Sequence, residues 1–168
     1  MNQGSFGSQS PCADPSRTNR QVHHLSLFVW DGMPYLQARD PSAPQVTFKR
    51  YALSRISKPE VLEDSFRPPP RKEHPTCLGA FTGKIVLAKI RASKEVAFYV
   101  RERKWHPDQS LREKPDGSVE FTLPFGDADE AARWILGRGP GFCPVEPSTL
   151  VKAWREAVFR LAEQVPAG

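Results

Sequence analysis

The sequence predicts an α+β chain: a small antiparallel β-barrel or sandwich, then a ferredoxin-like βαββαβ domain with a C-terminal helix. Three observations predict it. Short extended segments joined by tight turns fill residues 22–62, a proline-rich charged stretch interrupts them, and beyond it strand and helix periodicities alternate. The chain has 168 residues, enough for one ordinary domain or two small ones.

Met1 to Asn19 is rich in Ser, Gly, Asn and Pro without periodicity, so residues 1–19 are expected to be disordered or a poorly formed edge. From Val22 the pattern is extended, with Leu25, Leu27 and Val29 alternating with Ser26 and Phe28. Asp31-Gly32 supplies a tight turn, and Tyr35 to Ala38 resumes the strand. Arg39 to Pro44 holds two prolines and an Asp and reads as a second turn. Val46 to Leu53 is a third strand, with Phe48 and Tyr51 on opposite faces, and Ser54 to Leu62 a short fourth around Ile56 and Val61. Residues 20–66 thus form the first domain. Pro68-Pro69-Pro70 suits neither a sheet interior nor a helix, so the domain boundary falls in a linker over residues 67–80.

Residues 81–168 form the second domain. Lys84 to Arg91 alternates as a strand buried on at least one face, and Ser93 is expected to cap a helix whose Val96, Tyr99 and Val100 share a face. Trp105 to Glu113 is extended, and Pro115-Asp116-Gly117 turns into a strand carrying Val119, Phe121 and Leu123. Asp127 starts a helix with acids in its first turn, Ala131, Trp134 and Ile135 on one face, and Gly137 as its stop. Phe142 to Val145 is a last strand. Ser148 then caps a final helix with Leu150, Trp154, Val158, Leu161 and Val165 in register. The order is β-α-β-β-α-β plus a terminal helix, a split βαβ.

A mean hydropathy of −0.52 and the lack of a long apolar run exclude a membrane span. No apolar core of a signal peptide occurs in Met1 to Arg20, so the chain reads as cytoplasmic. Cys12, Cys77 and Cys143 are scattered, which argues against a disulfide framework and a cysteine zinc site; no metal is expected. The net charge of +5 favours polyanions weakly. Its distribution is uneven: Arg67 to Lys104 holds ten basic residues against three acids, a local +7 that leaves −2 for the remainder.

No nucleophile-and-base motif stands out, and Gly137-Arg138-Gly139-Pro140-Gly141 follows a helix where a phosphate cradle precedes one. The chain is therefore expected not to be an enzyme and to need no cofactor. Tyr35, Lys49, Arg50 and Arg55 carry the remaining chemistry. By strand alternation Lys49, Tyr51 and Arg55 share one parity and Arg50 has the other. Such residues build a stacking, cationic face for nucleotides or single-stranded nucleic acid; equally, they solvate the outside of a half-buried sheet. Arg101-Glu102-Arg103-Lys104 suits a helix C-terminus, and Trp105 reads as core or contact surface.

The run from Val22 to Ala38, with its Gly32 turn and Pro34-Tyr35-Leu36, resembles the signature of WYL domains. Lys49 to Ile56 is similar to that family's R-x-F-x-L-D-R-I segment, and Val61-Leu62 with Phe66 and Pro68 to its exit. Tyr99 to Arg103, Trp105 to Pro107, Pro115 to Ser118, Trp134 to Gly137 and Val145 to Pro147 resemble the WCX extension that follows it. The resemblance implies an SH3-like, Sm-like β-barrel before the ferredoxin-like extension, with residues 1–19 as a degenerate first strand. It implies a ligand-sensing module of a dimeric bacterial transcriptional regulator that binds a nucleotide or short single-stranded nucleic acid. Tyr35, Lys49 or Arg50, and Arg55 line the implied pocket, with Arg20 and His24 beside them. Promoter DNA is reached only through a partner or a domain absent from this chain. Pro34 stands where the family usually has Trp, and Lys49 where Arg is usual. A ligand-free dimerisation or effector-docking module is the alternative.

Overall fold

A computed structural model describes residues 4–10, 18–43, 47–70, 77–80 and 84–166, with backbone alone at 4–10. The chain divides into Met1–Pro75 and Thr76–Gly168. The division falls inside the expected linker, and Cys77–Ala80 goes with the second unit.

The first unit is one antiparallel sheet in the order β4-β3-β2-β1-β5. Its strands are β1 (Gly4–Ser10), β2 (Thr18–Trp30), β3 (Met33–Arg39), β4 (Phe48–Ala52) and β5 (Ser57–Ser65), with a 3-10 turn at Leu53–Arg55. Asp31 and Gly32 both have positive φ, 49° and 73°, as a two-residue hairpin requires when its twist matches the flanking strands. Pro34 lies beyond the end of β4, whose pairing stops at Tyr35↔Ala52, so its missing N–H leaves no described ladder bond unmade on that side.

One expectation is narrowed and one corrected. Within residues 1–19, Gly4–Ser10 is a strand, inner rather than an edge, paired with β2 from Ser5↔His23 to Ser10↔Thr18 and with β5 from Gly4↔Ser65 to Gln9↔Ser57. Sheet pairing uses backbone donors and acceptors, so a strand without apolar alternation can still join it. The expected barrel is not closed either, because among the described residues β4 and β5 are edges that do not pair. Lys58, Pro59, Glu60, Glu63 and Asp64 on β5 are what keeps an edge from pairing. Val22, Leu36 and Ala38 form the core of this unit, with Tyr51, Leu53 and Ile56 packed against it.

The second unit has a sheet in the order β7-β8-β6-β9, all pairs antiparallel. Its elements are β6 (Val86–Ala92), α1 (Ala97–Glu102), β7 (Ser110–Glu113), β8 (Val119–Phe125), α2 (Ala128–Leu136), β9 (Phe142–Glu146) and α3 (Ser148–Glu163). Alternation puts Ala88, Ile90 and Ala92 of β6 and Val119, Phe121, Leu123 and Phe125 of β8 into one core with Ile135, Phe142 and Leu150. Asp127 caps α2 as expected, its Oδ1 accepting from Glu130 N at 2.7 Å. Ser93 and Ser148 do not cap: α1 starts from Val96 after a turn, and α3 from Pro147. Tyr99, expected inside, is 43% exposed. No helix among the described residues is long and apolar enough to cross a membrane.

Candidate functional site

In β3, side chains alternate: Tyr35, Gln37 and Arg39 on one face, Leu36 and Ala38 on the other. Cross-strand partners share a face, so the register assigns the rest. Phe28 lies opposite Tyr35, and Arg50 opposite Gln37. Lys49 lies opposite Ala38 and Tyr51 opposite Leu36, on the core side. The structure therefore divides the expected site residues between two faces of one sheet.

The first face is aromatic and cationic. The Phe28 and Tyr35 rings stack at 5.5 Å with an 18° interplanar angle. The Arg50 guanidinium lies 5.0 Å from the Phe28 ring centroid, and its Nε donates to Gln37 Oε1 at 3.4 Å. Gln37 is itself buried, so Arg50 is held in place by an amide and a ring. Arg39 continues this face, its Nε buried with no hydrogen-bond partner among the described residues. Beside it the Phe66 ring stacks on His23 at 4.2 Å. Burial first, then the charge of Arg39 and of His24, hold the His23 imidazole below its usual pKa.

The other face ends in a polar cleft of about 380 Å³ lined by Thr18, Asn19, Arg20, Gln21, Asp40, Pro41 and Ser42. Asp40 accepts from Ser42 Oγ at 2.6 Å and from Lys49 Nζ at 3.2 Å. These bonds, the serine's first, lower its pKa to about 2. Tyr51 Oη is buried nearby without a partner among the described residues, and burial pushes its pKa up. Because the folded value of Asp40 lies below the ordinary 3.8, its contribution is complete above about pH 4 and is lost as pH falls towards 2. Asp40→Asn should flatten that part of the stability–pH curve of the first unit, read from thermal melts; an unchanged acid limb would contradict it.

His24 pairs with Ala38, on the face away from Tyr35. Arg55 is exposed in the 3-10 turn. The parity that grouped it with Lys49 and Tyr51 lapses, because β4 ends at Ala52. Phe28, Gln37 and Arg39 were missed. A signal for Phe28 existed: a two-residue turn at 31–32 pairs Trp30 with Met33 and, two steps out, Phe28 with Tyr35.

Three cations of the basic stretch 67–104 are offset by acids of the second unit. Lys89 pairs with Glu146 at 2.7 Å, Arg91 with Glu120 at 2.9 Å and Arg101 with Glu113 at 2.8 Å, while Arg103 covers the Tyr99 ring at 4.7 Å. Acids supplied from 113–146 offset the cations of 89–101, which leaves the first unit as the stronger candidate.

Comparison with known proteins bears on the second unit most directly. Residues 84–162 match the WCX domain family. The chain is also 25% identical over 142 residues to Protein PafC of Mycobacterium tuberculosis, in strain CDC 1551 / Oshkosh and in strain H37Rv, covering 83% of this chain and 44% of each relative. The chain thus spans less than half the length of the curated relatives it matches. Among solved structures, a CRISPR Cas-related protein aligns with TM-score 0.54 at 12% identity over 96% of this chain and 47% of that one. Proteasome accessory factor B/C (PafBC) of Arthrobacter aurescens aligns with TM-score 0.42 at 17% identity, over 98% of this chain and 25% of that one. Residues 84–162 therefore resemble a WCX domain, and the chain over most of its length is similar to PafC.

Proposed function

We propose that the chain is the ligand-sensing regulatory module of a bacterial transcriptional regulator. It is non-enzymatic and binds a nucleotide or short single-stranded nucleic acid on the Phe28–Tyr35–Arg50 face. The stack of Tyr35, Phe28 and the Arg50 guanidinium carries this reading. Bases stack on aromatic faces regardless of sequence, and a guanidinium is a charge-complementary group for phosphate. Tyr35, Gln37 and Arg39 follow at every second position, so base and phosphate groups are spread over about 13 Å of β3. That span suits more than one nucleotide.

The WCX match and the PafC likeness support the regulator context, and the WYL resemblance of the first unit adds to them. The β7-β8-β6-β9 order of the second unit supports the ferredoxin-like fold that this family implies. Ligand occupancy biases one arrangement of a dimer and is passed to a DNA-reading partner or domain outside this chain.

Anisotropy of a fluorescein-labelled oligothymidine tests the reading. Affinity should fall roughly five- to tenfold between about 50 and 200 mM salt, as two phosphate contacts on a single strand imply. Arg50→Ala should weaken binding and flatten that slope. No anisotropy change, or a salt-independent signal indifferent to Arg50→Ala, would remove the proposal. One observation favours the alternative, a ligand-free dimerisation module: on α3 and just after it Phe159, Leu161 and Val165 are 70%, 52% and 71% exposed. A salt-independent dimer by sedimentation, with no oligothymidine binding, selects it.

A further inference from the structure

We propose that His23, Arg39 and Phe66 form a second nucleotide subsite on the Phe28–Tyr35–Arg50 face, holding the base and phosphate of the next residue along a single strand. The inference rests on the nucleic-acid reading above and adds to it the far end of the same face. His23 lies opposite Arg39 in the β2–β3 register, as Phe28 lies opposite Tyr35. The irregularity between His24 and Ser26 shifts β2 by one residue, which brings His23 and Phe28 onto one face although their separation is odd. Arg39 and Tyr35 share that face by alternation.

The two ends of the face repeat one composition, a stacked ring pair with an arginine beside it. At one end Phe28 and Tyr35 lie 5.5 Å apart at 18°, with the Arg50 guanidinium against Phe28. At the other the His23 and Phe66 rings lie 4.2 Å apart at 7°, with Arg39 as the cross-strand neighbour of His23. All six of these side chains are half-buried, held in the surface yet partly open to solvent. Tyr35 and Arg39 are about 13 Å apart along β3, too far for one base to reach both ring pairs. Rings accept bases and arginines accept phosphates, so the repeat suits successive nucleotides of one strand.

Electrostatics gives the second subsite a signature that packing alone would lack. Burial first, then the charges of Arg39 on β3 and His24 on β2, hold the His23 imidazole below its usual 6.5. Gly4–Ser10 of β1 brings no titratable residue, and Glu63, Asp64 and Arg67 flank Phe66 in sequence. A phosphate seated at Arg39 opposes the positive charges, so the bound state favours the imidazolium more than the free state does. Binding therefore takes up a proton, and affinity rises as pH falls from about 7 towards about 5.5. Neither thymine nor a phosphodiester titrates in that range.

Anisotropy of a rhodamine-labelled hexathymidine on the full chain is the test. Arg39→Ala should weaken binding roughly tenfold, the size of one lost charge-assisted contact. It should also reduce the loss of affinity between about 50 and 200 mM salt to about threefold, as one remaining phosphate contact implies. The parent should bind roughly three- to tenfold tighter at about pH 5.5 than at about pH 7.5, and His23→Phe, which keeps a ring against Phe66, should lose that dependence. The pH comparison decides alone if Arg39→Ala loses its strand signal in circular dichroism. Binding that responds to Arg50→Ala but not to Arg39→Ala, or a pH dependence that survives in His23→Phe, would overturn the subsite and leave the first reading standing. No binding at any pH would remove both.

Discussion

Phe121→Ala should destabilise the second unit by about 3–5 kcal/mol, the usual cost of truncating a buried phenylalanine. Phe121 is 1% exposed on β8, the strand that pairs with both β6 and β7. Its ring stacks on Trp105 at 5.7 Å and meets Phe142 edge-on at 6.3 Å. Removing it leaves a cavity between two layers of a small domain whose whole stability is of order 5–15 kcal/mol. Trp105 makes the loss visible: denaturant unfolding followed by tryptophan fluorescence should move to a markedly lower midpoint. Leu111, opposite Phe121 on β7 and 42% exposed, is the control, and Leu111→Ala should cost well under half as much. Equal losses for the two would contradict the assignment of this core.

The second large effect is on binding. Phe28→Ala combined with Tyr35→Ala should weaken oligothymidine affinity by about 30-fold or more, since each stacked aromatic is worth about 1–3 kcal/mol per base. Leu27 alternates with Phe28 on β2 and is 67% exposed, so Leu27→Ala alters the opposite face and should leave affinity unchanged. The buried core of this unit is Val22, Leu36 and Ala38, none of which the double variant touches, so circular dichroism should retain the strand signal. A double variant that binds as the parent does would show that the stack serves packing alone.

Much of the fold is legible where a local rule acts alone. Asp31-Gly32 specifies its turn because both positions need positive φ. Val119, Phe121 and Leu123 announce β8 by alternation, and Asp127 announces α2 because its side chain reaches an N–H of the helix's first turn. Other features depend on partners distant in sequence. Gly4–Ser10 has no periodicity, and its place between β2 and β5 comes from backbone pairing. The closed barrel expected over residues 20–66 needed a β4–β5 ladder that the described strands do not make.

The site was half legible for the same reason. Parity along one strand separates Lys49 from Arg50, but only the register to β3 and β2 puts Arg50 beside Phe28 and Tyr35. The irregularity between His24 and Ser26 shifts the phase of β2, so alternation counted from Val22 misassigns Phe28. Arg55 was grouped by a strand that stops at Ala52. Glu130 and Ala80, 50 residues apart, leave no local trace of their contact at all.

Photocrosslinking tests the central claim most directly. An oligothymidine carrying 5-bromouracil, bound to the full chain at low salt and irradiated, should attach to Phe28 or Tyr35, as located by tandem mass spectrometry. Adducts confined to residues outside β2–β4, with Phe28 and Tyr35 unmodified, would contradict the account.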